Sequence, residues 1–388
     1  MLAAILLFGI LTLWVPGRWA LSAFQVAICA LAIARVIQRR GLSVHPLGIL
    51  LAMAAAWGIV QAAVGWSVDM QTTQQAALDW VVNVAAFSLA LNYAADPHRR
   101  ERFLQTFLWF AAGVAVLAIF TVLTSRPGFV YWYFPIEQDV ATLGPFVYHN
   151  QYAAFVEAIL PLAILRAILD RGRAAGYVMI AALLFASVVA GGSRTGTFLC
   201  LAEILLIPTL AYAKRLVTSP TFLRVAAGSV IAIALAFTIA GWQTIWTRLQ
   251  EPNPYALRAN LNRSSAAMVR DRPWTGFGLG TWPVAYPRYA LYDDGRYVNQ
   301  AHNDWMQWAA EGGWPLFAIM LGVAIWCVRP ATRVLWGVGI LAVFVHCLID
   351  YPFQQRPALA AFFFAWIGVV IAAGEMRETR QRSSALSA

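Results

Sequence analysis

The chain has 388 residues, of which 61% are hydrophobic and only 12% are charged. Soluble domains carry about 45–50% apolar and about 25% charged residues, so this composition excludes an ordinary soluble protein, a disordered chain and a small disulfide scaffold. The net charge of +10 is explained more simply by Arg-rich cytoplasmic loops than by nucleic-acid binding. We therefore expect a membrane protein that contacts lipid and binds no nucleic acid.

The predicted membrane spans follow from hydropathy, since a spanning helix needs about 20 apolar residues. They lie near residues 2–15, 20–37, 47–66, 76–93, 103–123, 152–169, 174–192, 196–213, 225–241, 305–328, 332–349 and 358–374. The first run, MLAAILLFGILTLWV, has no preceding basic residue and no clear cleavage site, so it indicates a retained span and not a signal peptide. The fold class is therefore an all-α polytopic membrane protein with about twelve transmembrane helices.

Basic clusters at alternate connections, beginning with Arg35, Arg39 and Arg40, predict the orientation of the chain. By the positive-inside rule these clusters and both termini are cytoplasmic. The predicted division has nine transmembrane helices in 1–241, a periplasmic loop with the catalytic residues at 242–304, three helices in 305–376 and a polar cytoplasmic tail at 377–388.

The long loop contains a segment, 254–272, whose pattern predicts an amphipathic helix. Asn253 is the expected N-cap, and Leu257, Leu261 and Met268 share one face at helical spacing. Four Arg residues lie on this helix. They are Arg258, Arg263, Arg270 and Arg272. For Arg263 and Arg272 we expect contact with lipid headgroups.

The sequence GFGLGT at 276–281 resembles a phosphate loop only loosely, because it follows a helix and lacks a Lys-Ser/Thr pair. A tight turn is the better interpretation. Further on, Asp304 is the expected N-cap of the next helix, with Gln307 completing a capping box. His302 would then lie just outside a helix N-terminus, which suits an anion.

Other polar groups are predicted at the same outer depth. His149 and Asn150 begin the sixth span, and Arg194 lies in the short turn GGSRTG. His346 and Asp350 are four residues apart on one helical face. These two side chains could supply two ligands of a metal site. The other closely spaced pair of possible ligands lies in a separate segment, so we expect no metal.

Glu157 and Glu203 fall inside predicted spans, where carboxylates are functional candidates by default. A buried, structural role is the preferred interpretation. The four cysteines form no CxxC pair, and we expect them to be small buried apolar groups.

Several motifs occur together in an order that resembles the O-antigen ligase and polymerase family. Arg258 stands fifteen residues before Pro273, and the Gly-rich turn follows. The later positions of the motif are filled by His302, Asn303, Glu311 and Gly313. Three flanking segments also match: YHNQYAAFVEAILPL, GGSRTGTFL and VHCLIDYPFQQRPALAAFFFAWIG. The resemblance covers about 150–375, with departures at Thr195 and in the Asp-Trp-Met that follows Asn303.

The resemblance implies a glycosyltransferase of the bacterial inner membrane with its active site facing the periplasm. The donor would be a glycan on undecaprenyl diphosphate, and the acceptor lipid A-core or a growing glycan. Arg258 and Arg194 would hold the diphosphate with Arg270 as a weaker third, because a guanidinium matches phosphate geometry. His302 would be the general base, since the ordinary pKa of His, about 6.5, is close to working pH.

His149, Asn150, Asn303, Asp304 and Glu311 would support this site. Inversion at the anomeric carbon is expected, with no metal and no cofactor, because the donor carries its own leaving group. Three alternatives remain open. They are a polymerase of O-antigen or exopolysaccharide in the same family, a transporter or flippase of a lipid-linked anion, and a membrane scaffold. A transporter would usually show inverted repeats and broken helices near the midplane.

Overall fold

The computed structural model describes residues 1–38, 42–240, 246, 250, 256–291, 295 and 297–386. The helices are α1 (Leu2–Leu11), α2 (Arg18–Ile37), α3 (Pro46–Val64), α4 (Met70–Ala94), α5 (Pro97–Thr124), α6 (His149–Leu169), α7 (Ala174–Ala190), α8 (Arg194–Ala213), α9 (Ser219–Ala240), α10 (Ala256–Asp271), α11 (Trp282–Ala285), α12 (Asp304–Val334), α13 (Val338–His346) and α14 (Pro357–Leu386). Two strands, β1 (Phe129–Val130) and β2 (Phe134–Pro135), pair antiparallel in the α5–α6 connection. The predicted all-α class is confirmed.

Eight helices of the described residues are long and apolar enough to cross a membrane. They are α2, α3, α4, α5, α6, α8, α12 and the part of α14 up to Arg377. Each of the other four predicted spans also contains a helix: α1 has 10 residues, α7 has 17, α13 has 9 and α9 has 22. Helices α1, α7 and α13 are shorter than the roughly 20 residues that a span needs, so the total of twelve stays a prediction. The predicted basic residues Arg39 and Arg40 lie outside the described residues.

The centre of the bundle is formed by α6 and α14. Their apolar windows are 83% and 94% buried, whereas that of α2 is 22% buried. A helix that is apolar on all sides has to be surrounded by protein or lipid, which explains why both are enclosed by other helices. Phe362, Phe363 and Trp366 of α14 are buried in this core.

Helix α12 is broken at Gly313, which has φ of 66° and ψ of −169°. The break accommodates the preceding loop: Trp314 N–H donates to the Pro273 carbonyl over 2.8 Å, and Gly278 N–H donates to the Glu311 carbonyl over 2.9 Å. The GFGLGT segment is therefore a turn seated against the broken helix, in agreement with the turn interpretation.

Helix α10 corresponds to the predicted amphipathic helix, although the expected N-cap Asn253 lies outside the described residues. Leu261 and Met268 are fully buried, and they pack in a second core that includes Trp282. Leu257 is on the same face by spacing but is 51% exposed, so protein does not cover this end of the face. Its position at the first turn of α10 places it beyond the edge of this second core.

The N-cap of α12 also differs from the prediction. Asn303 is the cap, and its side chain accepts a hydrogen bond from Met306 N–H over 3.1 Å. Asp304 is the first helical residue, and its Oδ2 accepts from Phe353 N–H over 3.0 Å. Both residue types are good caps, so the local pattern could not distinguish two adjacent positions. The side chain of Gln307 does reach back, since its Oε1 accepts from Ala301 N–H over 3.0 Å.

Candidate active site

A buried carboxylate, Asp350, lies at the centre of a polar cluster where several helices end. Tyr148 OH donates to both of its oxygens over 2.9 and 3.0 Å, and the Asn150 amide donates to Oδ2. Tyr351 N–H donates to Oδ1 over 2.9 Å. Arg258 donates from Nη2 to Oδ2 over 2.8 Å. The charge of this buried group is therefore matched by one cation and several hydrogen-bond donors, as a buried charge requires.

The chain folds this way because each contributor sits at a helix end. Asp350 follows the end of α13, where its N–H still donates to the His346 carbonyl over 3.0 Å. Tyr148 is the N-cap of α6, and Asn150 is in its first turn. Arg258 is in the first turn of α10. Helix ends bring polar side chains to one end of a bundle without placing them among apolar neighbours.

His302 approaches the same carboxylate from the segment before α12. Its Nδ1 lies 3.6 Å from Asp350 Oδ1, which is longer than a hydrogen bond. Its ring meets Tyr351 edge-on with centroids 4.8 Å apart. The backbone of His302 is left-handed, with φ of 52°, a conformation that is uncommon for residues other than Gly and clusters at functional sites. With Nδ1 facing Asp350, Nε2 is the nitrogen on the other side of the ring.

A hydrogen-bond chain connects this cluster to Arg194. Asn150 receives a hydrogen bond on Oδ1 from Ser193 Oγ over 2.6 Å while its amide donates to Asp350. Ser193 is also the N-cap of α8, and its Oγ accepts from Gly196 N–H over 3.1 Å. Arg194 is the first residue of that helix and is partly exposed. The turn before it requires Gly192 at φ of 70°.

The electrostatics keep the cluster in a defined protonation state. Burial raises the pKa of the Asp350 carboxyl, but the nearby imidazole of His302 and guanidinium of Arg258 lower it more, so the pKa lies well below its usual range. Burial raises the pKa of Tyr148, and the charge of Asp350 raises it further. The same two causes raise the pKa of Tyr351. Both phenols therefore stay protonated beside an ionised carboxylate.

Of the predicted site residues, the structure brings together Arg258, His302 and Asn150, with Arg194 one residue beyond Ser193. His149 is next to the cluster, and its ring contacts that of Tyr148 at a centroid distance of 5.0 Å. Arg270 is exposed and lies about 18 Å farther along α10 than Arg258, at 1.5 Å per residue.

The other predicted supporting residues cap a helix or join neighbouring segments. Asn303 caps α12, and Asp304 binds the segment after Asp350 through Phe353 N–H. Glu311 accepts from Gly280 N–H over 2.9 Å and from Gln307 Nε2 over 2.9 Å, so it anchors the Gly-rich turn to α12.

The two Arg residues expected at lipid headgroups differ from each other. Arg263 is exposed. Arg272 donates from Nη1 to the Trp66 carbonyl over 3.0 Å and lies 4.7 Å over the Phe277 ring, so its guanidinium contacts protein, and its contact with lipid headgroups stays a prediction. Its position at the C-terminal end of α10 brings it against the α3–α4 connection.

The sequence patterns did not predict that Asp350, Tyr148 and Tyr351 form the centre of the site. The sequence does carry one signal for Asp350, its four-residue spacing from His346. That spacing carries a different contact: His346 Nδ1 pairs with Glu157 Oε1 over 2.8 Å, and both residues are fully buried. Glu203 is also buried, as its preferred structural interpretation requires. Among the described residues, no group of three His, Cys, Asp or Glu side chains is close enough to hold a metal ion.

This architecture is that of a polytopic α-helical membrane protein with a polar, charged site at one end of the bundle. Residues 179–321 match the family model described as O-antigen ligase. The match includes Arg194, Arg258 and His302, and it supports the assignment of the chain to the O-antigen ligase family.

A similarity to a curated protein is more limited. The chain is 36% identical over 72 residues to Protein TraX of Escherichia coli. The aligned part is 18% of this chain and 29% of that protein, so the chain spans less than a third of the length of the curated relative it matches.

Proposed function

We propose that the protein is a glycosyltransferase of the O-antigen ligase type. It transfers a glycan from undecaprenyl diphosphate to an acceptor hydroxyl on lipid A-core, at the periplasmic face of the bacterial inner membrane. The observation that carries the proposal is the contact of Arg258 and His302 with one buried carboxylate, Asp350. A permanent cation and a titratable base then lie beside the same carboxylate. Displacement of a diphosphate by a hydroxyl requires such a pair of groups.

The proposed reaction is a direct displacement. His302 Nε2 takes the proton of the acceptor hydroxyl while its oxygen bonds to the anomeric carbon of the donor. The bond from that carbon to the diphosphate oxygen breaks, and its electron pair leaves with undecaprenyl diphosphate. The configuration at the anomeric carbon is inverted. His302 then releases its proton to solvent, which restores the site.

Asp350 would act through its neighbours and not on the substrate. Its carboxylate faces Nδ1 of His302 and stabilises the imidazolium that forms during transfer, as a carboxylate does in other acid–base pairs. It also fixes Arg258, whose guanidinium carries five N–H donors and can contact a diphosphate while paired. Arg194 would provide the second cation, positioned by the Ser193–Asn150 connection.

The test is transfer in proteoliposomes supplied with lipid-linked donor and lipid A-core acceptor. We expect His302→Ala to abolish transfer while donor binding survives, and Arg258→Ala to weaken both. Normal transfer by His302→Ala would overturn the mechanism. His98→Ala is the control. His98 lies in the first turn of α5, and the connection that leads to the site begins at the other end of that helix.

The products distinguish ligase from polymerase. Long chains attached to lipid A-core indicate the proposed ligase. Donor chains elongated on undecaprenyl diphosphate, without attachment to lipid A-core, indicate a polymerase. Movement of intact donor across the bilayer with no new glycosidic bond would indicate a transporter and would contradict both.

A further inference from the structure

A polar cavity of about 370 Å³ lies between the first half of α4 and the segment that leads into α14. This volume is within the range of small-ligand sites, about 300–1,000 Å³. The mechanism above uses none of its α4 residues. The identity of the ligand that we assign to this cavity rests on the proposed glycosyltransfer.

One wall is a polar face of α4. Thr72, Gln75, Asp79 and Asn83 line the cavity at spacings of three and four residues, which places them on one side of the helix. A polar stripe on a spanning helix is unfavourable toward lipid, so it has to face protein or water. Here it faces into the bundle and continues inward from the helix N-terminus for about three turns.

Asn83, at the inner end of this stripe, is 5% exposed. Within the described part of the chain, its Oδ1 is buried and has no hydrogen-bond partner. A buried amide oxygen without a partner is destabilising, and a hydroxyl donor in the cavity would supply the missing hydrogen bond. Asp79 already accepts a hydrogen bond from Gln25 Nε2 over 2.6 Å, which holds the middle of the wall in place.

Aromatic rings line the cavity on both sides. Trp80 of α4 contacts Phe364 of the facing wall, and Trp308 contacts Phe353 within that wall, each with centroids 5.6 Å apart, and all four rings line the cavity. The amide side chains of Gln300 and Gln354 lie on the same walls. A surface of amides beside aromatic faces suits a ring that has hydroxyls at its edge and C–H groups on its face.

Charge decides between a sugar and a phosphate as the ligand. The ionisable lining residues are Asp79 and Glu311, and no Arg, Lys or His of the described residues lines the cavity. An amide-rich lining without a cation gives a diphosphate no charged partner, and the proposed place of the diphosphate is beside Arg258 and Arg194. The lining is also too polar for a polyprenyl tail.

The cavity shares its walls with the active site. Gln300 is two residues before His302, and Phe353 is three residues after Asp350. Phe353 N–H donates to Asp304 over 3.0 Å, and Gln151 donates to the Gln354 carbonyl over 3.1 Å. A ligand in the cavity is therefore held by the same two segments that position the general base and its carboxylate.

From these observations we infer that the cavity is a subsite for a neutral sugar unit of the glycan, with Gln75 and Asn83 donating and accepting hydrogen bonds to its hydroxyls. The sugar can belong to the donor or to the acceptor, since both present neutral hydroxyl-bearing rings next to the reacting atoms.

The test measures binding without the reaction. The full-length protein in nanodiscs is titrated with two lipid-free probes, the core oligosaccharide released by mild acid and the repeat-unit oligosaccharide released from its diphosphate. We expect one of them to quench tryptophan fluorescence saturably, because Trp80 and Trp308 line the cavity. His302→Ala should bind the same probe equally well. The probe that binds identifies the source of the sugar.

Two cavity variants and one control complete the design. Gln75→Met should weaken probe binding by about fivefold, the size of one lost hydrogen bond. Asn83→Leu should do the same, provided that its melting temperature shows a folded protein. Gln74→Met is the control, because Gln74 is the adjacent residue on α4 and is exposed. In transfer assays both cavity variants should raise KM for one substrate more than they lower kcat.

The outcomes separate this subsite from the proposed function. Binding that Gln75→Met weakens supports the subsite even if no transfer is detected. Transfer that proceeds with unchanged KM in Gln75→Met, together with no binding of either probe, would overturn the subsite and leave the transferase proposal intact.

Discussion

Arg258 donates from Nη2 to Asp350 Oδ2 over 2.8 Å, and this contact joins the long loop to the last pair of helices. The Asp350 side chain is 1% exposed and that of Arg258 is 19% exposed. The pair therefore has a protein side and an open side. Asp350 holds the cation from within, and the guanidinium remains near the surface where a lipid-linked diphosphate would arrive.

Replacing Arg258 by Lys tests the geometry of this cation separately from its charge. Lys keeps the positive charge but loses the planar fork that can bind Asp350 and a phosphate together. We expect transfer to fall by at least about tenfold, equal to about 1.4 kcal/mol in the barrier, with a raised KM for the donor. Arg263→Lys, on the exposed side of the same helix, is the matched control and should transfer normally.

Acid stability should reveal the lowered pKa of Asp350. In the unfolded chain an Asp titrates near 3.9, and in the folded protein the pKa of Asp350 is lower. The stabilisation is thus fully present above about pH 4 and is lost as pH falls through the folded pKa. We expect the unfolding temperature of the wild type in detergent to fall more steeply from pH 5 to pH 3 than that of Asp350→Asn.

The control for this pH series is Asp139→Asn, at an exposed position in the α5–α6 connection. It should show the same slope as the wild type. A parallel decline in the unfolding temperatures of the wild type and Asp350→Asn would contradict the assignment of the acid-sensitive stabilisation to Asp350.

The sequence allowed the helical membrane fold to be predicted, because hydropathy is a local signal. Arg258, His302 and Asn150 of the cluster, and Arg194 beside it, could be named because they belong to motifs whose order along the chain resembles that of one family. Asp350 as the centre could not be predicted in this way. Its partner Tyr148 is 202 positions away in the chain, and only the packing of α6 against α13 brings them together.

The details that the sequence did not predict have a similar physical origin. Asn303 and Asp304 are equally good caps, so only the tertiary contact of Asp304 with Phe353 N–H determines which of them caps α12. Leu257 satisfied the helical period but lies at the end of α10, where the second core no longer covers it. The helical period of apolar residues indicates which side chains share a face. The burial of that face depends on the elements that pack against it.

The buried pair of Glu157 and His346 should contribute to stability and not to chemistry. Its atoms are 2.8 Å apart and fully buried, directly behind the α13 turn that presents Asp350. Removing one partner leaves the other polar group uncompensated, at a cost of about 3–5 kcal/mol. We expect Glu157→Leu to lower the free energy of unfolding by this amount, and Glu157→Leu combined with His346→Leu to recover part of it.

A double-mutant cycle in detergent, followed by thermal unfolding, measures the coupling of this pair. Leu123→Ala, at an exposed apolar position of α5, is the control for a general effect on the micelle-embedded bundle. Additive losses from the two single variants would show that Glu157 and His346 do not stabilise each other.

The break in α12 should be sensitive to substitution, since Gly313 adopts a backbone conformation that other residues avoid. With φ of 66° and ψ of −169° it lies in a region essentially restricted to Gly. A Cβ there would lie 2.6 Å from the Trp274 carbonyl oxygen and 2.7 Å from that of Pro273. Gly313→Ala should therefore destabilise the protein by about 1–3 kcal/mol and displace the Gly-rich turn from the helix. Gly322→Ala in the same helix is the matched control, because its Cβ would meet only Leu50, at 3.7 Å. We expect that control to be neutral or stabilising, since Ala favours a helix interior over Gly by about 1 kcal/mol. Equal unfolding temperatures for the two variants would show that the break is not needed to seat the turn.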